Sequence, residues 1–255
     1  MTLLYAFVGT VGLIVGSFLN VCIYRIPLGK SIVFPPSSCT ECGSHIRPWQ
    51  NIPVISYIFL RGRCAFCGTK ISPIYPAVEL LNALLYVAAL YRFGPTAKGF
   101  VVMALLSSFV VITFIDLRHR IIPDGITLPG IIIGFALGTP VFGTGLTNSV
   151  MGALLGGGLL VLAGIVGEAV LGKESMGGGD VKLMAMVGAF FGWKVALASI
   201  MLGSVFGSVI GISLMALKVT DRNTLIPFGP FLVSGVTISI FFQQELFAWY
   251  SGIVV

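Results

Sequence analysis

Charge is what this sequence has least of. Asp, Glu, Lys and Arg make up 9% of its 255 residues, against roughly 25% in an ordinary soluble domain. With 56% hydrophobic residues and a mean hydropathy of +1.03, that deficit excludes a soluble fold and implies an integral membrane protein. Alternating polar and apolar residues between turns, the pattern of a membrane barrel, are also missing, so the spans are helical. The net charge of +6 comes with no dense basic run, which excludes nucleic acid as a partner. No Lys or Arg precedes the first apolar run, so the positive n-region of a cleaved signal peptide is absent. Arg25 and Lys30 follow that run instead. This predicts a retained first helix with its N-terminus outside.

What is present is a series of long apolar runs. They predict an all-α, polytopic bundle of eight transmembrane helices, near 3–24, 76–92, 99–115, 126–142, 149–171, 181–192, 194–217 and 226–247. The sixth is short for a crossing of about 20 residues. A polar insert, 25–75, separates the first two. With this topology only Arg92, Lys98 and Lys194 of the 15 Lys and Arg lie outside, a strong positive-inside bias. Gly203, Gly207 and Gly211 recur every fourth residue, as do Gly152 and Gly156. This spacing lets helices approach closely within one bundle.

Met176-Gly177-Gly178-Gly179-Asp180-Val181-Lys182 is a short polar break in an apolar context. A carboxylate this close to a membrane segment is costly and reads as functional. The glycines leave room for another backbone beside it. Among the nine acids, Asp116 ends the third span at the same expected depth, and Asp124 closes the loop after it. Glu168 lies inside the fifth span and Glu79 near the start of the second. Two carboxylates sharing a site do not both ionise. One can then activate water while the other protonates a carbonyl, as in aspartic proteases. Asp180 at a helix N-terminus favours its anion and Asp116 at a helix C-terminus its proton. Arg118 and Arg120 oppose the second half of that contrast, so the roles belong to the pair.

Cys39-Thr40-Glu41-Cys42 and Cys64-Ala65-Phe66-Cys67 are two C-x-x-C pairs inside the insert. Their spacing suits a tetrahedral structural zinc, and an insert with few apolar side chains gains from a metal staple. A redox pair or unligated thiols is the other reading. The fifth cysteine, Cys22, lies within the first span.

Taken together, these residues resemble the type IV prepilin peptidases, bacterial membrane aspartyl proteases with a G-x-G-D motif. Asp116 opens an Asp-basic-Ile-Pro-Asp loop, and Gly177 to Asp180 followed by Val181-Lys182-Leu183 supplies the G-x-G-D. Gly16-Ser17-Phe18-Leu19-Asn20-Val21, Pro48 to Pro53, Arg61-Gly62-Arg63-Cys64 and Tyr75 to Leu80 complete an ordered set over nearly the whole chain. The resemblance implies an inner-membrane peptidase that removes the basic leader of prepilins or pseudopilins after a glycine, at the cytoplasmic face. Asp116 and Asp180 would be its catalytic pair. Gly177, Gly179, Lys182 and Asp124 belong to the same motifs, Asp124 in a structural or positioning role. Members with the cysteine insert also N-methylate the new terminus with S-adenosylmethionine. That implies domains at 1–24 (first helix), 25–75 (methyltransferase-associated insert) and 76–255 (peptidase bundle).

For the methyl donor, no G-x-G-x-x-G follows a strand, so no Rossmann-type site is expected. Arg61, Gly62, Arg63 and Glu79 are the candidates. Glu79 and Asn82, one turn apart, line a polar site with Asn20 or make interhelical hydrogen bonds. Two other functions remain open: an ion- or proton-coupled transporter using Asp116, Glu168 and Asp180, and a zinc-binding scaffold anchored by the helices.

Overall fold

In a computed structural model, residues 1–172, 176–219 and 226–254 are described. Lys173, Glu174, Asp221 and Arg222 lie outside the described residues. Among those described, the chain is helical with no β-strand. It divides into two compact units, Met1–Ile115 and Asp116–Val255.

The first unit holds α1 (Thr2–Arg25), the short α2 (Ile55–Phe59) and α3 (Ile74–Phe93). It also holds most of α4 (Ala97–His119), which continues into the second unit. At about 1.5 Å per residue, the 24 residues of α1 reach some 36 Å, enough for a hydrocarbon core of about 30 Å. Small residues seat α1 on α3. A Cβ on Gly12 would lie 2.7 Å from the Ala83 Cα, and one on Gly16 2.7 Å from the Glu79 Cα. Asn82 crosses the same seam. Its amide donates to the Gly12 carbonyl (2.8 Å), and its Oδ1 accepts from Ser107 of α4 (2.9 Å). Asn20 donates to the Tyr75 carbonyl (3.1 Å). The interhelical reading of Asn20 and Asn82 therefore describes what they do.

The second unit contains α5 (Asp124–Phe142), α6 (Leu146–Leu171), α7 (Gly178–Phe191), α8 (Trp193–Ala216), α9 (Gly229–Phe241) and α10 (Gln243–Val254). Its centre is α7, whose residues from Leu183 to Phe191 are buried at nearly every position. Close glycine contacts surround it. A Cβ on Gly134 of α5 would lie 2.8 Å from the Ala189 Cβ, and one on Gly156 of α6 2.6 Å from the Met184 carbonyl. Gly192, at φ +82°, ends α7 and opens α8 at a backbone angle that favours glycine. The glycine row of α8 packs within the chain. Gly203 faces the backbone of Leu232 and Gly207 the ring of Phe231.

Among the described residues, six helices are long and apolar enough to cross a membrane: α1, α3, α4, α5, α6 and α8. The chain is thus a multi-pass membrane protein, but eight full crossings are not supported. At 14 residues, α7 covers only about 21 Å. It can be short because its neighbours, not lipid, surround it. The expected eighth span breaks at Phe242 into α9 and α10.

Candidate active site

Asp116 and Asp180 are both buried, 5% and 9% exposed. Asp116 lies in the last turn of α4, which runs past the expected end at Ile115 to His119. The backbone N–H of Gly229, the first residue of α9, donates to Asp116 Oδ2 over 3.0 Å. Asp180 is the third residue of α7, and its Oδ1 has no hydrogen-bond partner. The expected positions are found, Asp180 at a helix start and Asp116 at a helix end, but Asp116 also meets the positive end of α9 through Gly229, which offsets the contrast between them. The two carboxylates are close enough for the charge of one to act on the other.

Ile122 joins the parts. A Cβ on Gly179 would lie 2.7 Å from the Ile122 Cβ, and one on Gly229 3.2 Å from its Cδ1. A Cβ on Gly177 would lie 3.2 Å from Asp180 Oδ2. The glycines before Asp180 therefore do two things. Gly179 lets α7 close onto the loop after α4, and Gly177 leaves the carboxylate uncrowded. Gly229 was not anticipated from sequence. Its only sequence signal is Gly229-Pro230 opening an apolar run, a common helix start.

Asp124 is not part of this cluster of buried acids. It begins α5 and takes the Lys182 ammonium on both oxygens, at 2.7 and 2.8 Å, in an exposed pair that ties α5 to α7. Glu168 is exposed on α6.

In the insert, the Sγ atoms of Cys39, Cys42, Cys64 and Cys67 all lie within 4.8 Å of one another. Cys39 and Cys67 are 3.9 Å apart. Four thiolates at about 2.3 Å from a tetrahedral zinc stand about 3.8 Å apart, so the group could hold a metal ion with a small contraction. The two pairs are built alike. The N–H of Cys39 bonds the Ser44 carbonyl and that of Gly43 the Cys39 carbonyl; Cys64, Thr69 and Gly68 repeat the arrangement. The shared Cys-x-x-Cys-Gly-Ser/Thr pattern is the sequence signal for it. Thr69, through its hydroxyl and backbone, brings the Cys67 thiol down to about 6, and Ser44 lowers that of Cys42. Both shifts favour the thiolates a metal needs.

Glu79 is buried on α3. Its Oε2 accepts the Val54 N–H at 2.7 Å. Arg61 and Arg63 are exposed, and Gly62 lies under the Tyr57 ring, whose Oη a Cβ would meet at 2.9 Å.

Comparison with known proteins fits this arrangement. Residues 10–93 match the bacterial peptidase A24 N-terminal domain and residues 103–212 the type IV leader peptidase family. The prepilin leader peptidase/N-methyltransferase of Pseudomonas putida is 36% identical over 259 residues, covering 93% of this chain and 90% of the relative. The chain belongs to the type IV leader peptidase family. Another relative of the same name, from Aeromonas hydrophila, is 34% identical, covering 97% of this chain and 94% of its own. The one from Myxococcus xanthus is 43% identical over 82% of this chain and 62% of its own. No solved structure matches. Family membership makes the buried pair intelligible as a peptidase centre and gives the transporter reading no support.

Proposed function

We propose that the chain is an aspartyl endopeptidase of the bacterial inner membrane that cleaves the basic leader from type IV prepilins or pseudopilins after glycine. Its N-terminus lies outside and its aspartates at the cytoplasmic face. The observation that carries the reading is the buried, unpartnered Oδ1 of Asp180, near enough to Asp116 to feel its charge. A buried carboxylate oxygen left open costs free energy and is a place for a reacting molecule.

In the reaction, one carboxylate takes a proton from water while the other gives one to the scissile carbonyl oxygen. The water oxygen bonds to the carbonyl carbon. The resulting tetrahedral diol collapses, the amine leaves with a proton, and the acids exchange roles. Gly229 holds Asp116 in place through its N–H. The glycines before Asp180 leave space for the extended substrate backbone. Lys182 and Asp124 keep α5 and α7 in register.

The second activity is methylation of the new N-terminal amine. S-adenosylmethionine, when bound, supplies the methyl group. Arg61 and Arg63 would receive its carboxylate, Gly62 lets them project from a tight turn, and Glu79 holds the preceding loop. Cys39, Cys42, Cys64 and Cys67 would hold a structural zinc that keeps the insert, 25–75, folded.

The test is mass spectrometry of a prepilin incubated with the reconstituted protein, with and without S-adenosylmethionine. The leader mass is lost with the native chain and retained with Asp116→Asn or Asp180→Asn, and one methyl is added only with the donor. Cleavage by either variant at more than about a thousandth of the native rate, the scale set by losing a catalytic group, would overturn the assignment of the pair.

A further inference from the structure

The insert is expected from sequence to be a polar cytoplasmic module, yet its short helix turns an apolar face outward. Ile55, Ile58 and Phe59 are 51%, 67% and 83% exposed, and their i, i+3, i+4 spacing puts them on one side of α2. The inward residue is Ser56, whose hydroxyl donates to the Trp49 carbonyl and accepts from the Ile52 N–H. The face is therefore not a strand of unfinished core.

Two observations set the depth of this helix. Val54, immediately before α2, donates its N–H to Glu79, the sixth residue of α3. At about 1.5 Å per residue, Glu79 lies some 8 Å inside the start of that span. The turn is also aimed at some cost. Val54 sits at φ 60°, ψ −48°, with the Ile55 N–H bonded to the Pro53 carbonyl at 2.6 Å. This is a γ-turn of the rarer, strained hand, at a β-branched residue that seldom adopts positive φ. A buried carboxylate and a strained turn together bring the chain back down beside α3 before α2 begins.

We propose that α2 lies in the bilayer interface, its Ile55, Ile58 and Phe59 face among the acyl chains, with anionic phospholipid headgroups drawn to the basic residues of the insert other than the methyl-donor pair Arg61 and Arg63. Large apolar side chains are exposed on the spans of the same unit as well, among them Phe18 and Tyr24 of α1 and Leu80 and Leu84 of α3. The charge fits the partner. Lys30, Arg47 and Lys70 are exposed in the insert, whereas Glu41 is the one acid between residues 25 and 75. Basic residues beside an apolar helical face are what an anionic membrane surface attracts. The insert is thus held at the membrane surface from both ends and at its middle.

The test is tryptophan quenching. Trp49, Trp193 and Trp249 are replaced by Phe, and a single tryptophan is introduced as Phe59→Trp, Ile58→Trp or, beside the cysteines, Thr40→Trp. Each variant is reconstituted in nanodiscs of phosphatidylcholine and phosphatidylglycerol with or without brominated acyl chains, and leader cleavage confirms that it is folded. Residues 58 and 59 should be quenched at least twofold and emit to the blue of residue 40, and replacing phosphatidylglycerol by phosphatidylcholine should weaken the quenching. Equal, unquenched emission from all three positions overturns the proposal. So does quenching at 58 and 59 that appears only after prepilin is added, which makes the substrate the occupant. If the background without native tryptophans does not fold, p-benzoylphenylalanine at position 59 of the otherwise native chain is irradiated instead. Phospholipid adducts support the proposal, and adducts to protein alone overturn it.

Discussion

Gly229 is the single residue on which the placement of Asp116 depends most directly. Its N–H fixes one carboxylate oxygen, and a Cβ there would stand 2.6 Å from that same oxygen. Gly229→Ala should therefore displace the carboxylate without removing it. A misplacement of about 1 Å costs on the order of 100-fold in rate, and the loss should appear in kcat with KM little changed, measured by leader release from prepilin in nanodiscs. Lys182→Met is the contrasting case. Its ion pair with Asp124 is exposed on both sides, and such pairs contribute about 0–1 kcal/mol. Cleavage should stay within about fivefold of native, the rate equivalent of 1 kcal/mol. The two acids were legible in the sequence because a carboxylate stands out where charge is scarce. Gly229 was not, because the bond that gives it a role spans 113 positions and a glycine before proline has many ordinary reasons to be there.

At the level of elements, α6 and α7 approach so closely that a Cβ on Gly188 would fall on the carbonyl group of Gly152. Neither backbone can yield cheaply, so Gly188→Ala should destabilise the second unit by about 1–3 kcal/mol, the usual cost of overpacking. At roughly 2–4 °C per kcal/mol for a chain of this size, a thermal melt in detergent would register it. The apolar runs revealed where the helices lie, since hydrocarbon enforces continuous helical segments. They do not by themselves count the crossings, because hydropathy does not distinguish a helix surrounded by lipid from one surrounded by protein, and α7 is the second kind. The cysteine knuckles carry a separate prediction. The native chain should hold about one zinc per molecule by elemental analysis, the complement of one four-thiolate site. Cys64→Ser should lose it and leave residues 25–75 open to protease while the spans remain intact.

At the scale of the whole molecule, the chemistry proposed for the chain divides as its two units do. Asp116 and Asp180 lie in the unit that runs from Asp116 to Val255. The cysteines, Arg61, Arg63 and Glu79 lie in the unit from Met1 to Ile115. No residue assigned to cleavage is also assigned to methyl transfer, so the two activities should be lost independently. A chain carrying Asp116→Asn, given a pilin that already lacks its leader, should methylate it at close to the native rate, read as tritium transferred from labelled S-adenosylmethionine. A chain carrying Cys64→Ser should remove the leader and leave the new amine unmethylated. The cross-check is an equal mixture of the two variants acting on full-length prepilin, in which cleaved and methylated pilin should reappear because one chain supplies each step. Methylation that stays absent in the mixture while each single assay succeeds would mean that the cleaved pilin does not leave the chain that cut it, so both steps must occur on one molecule.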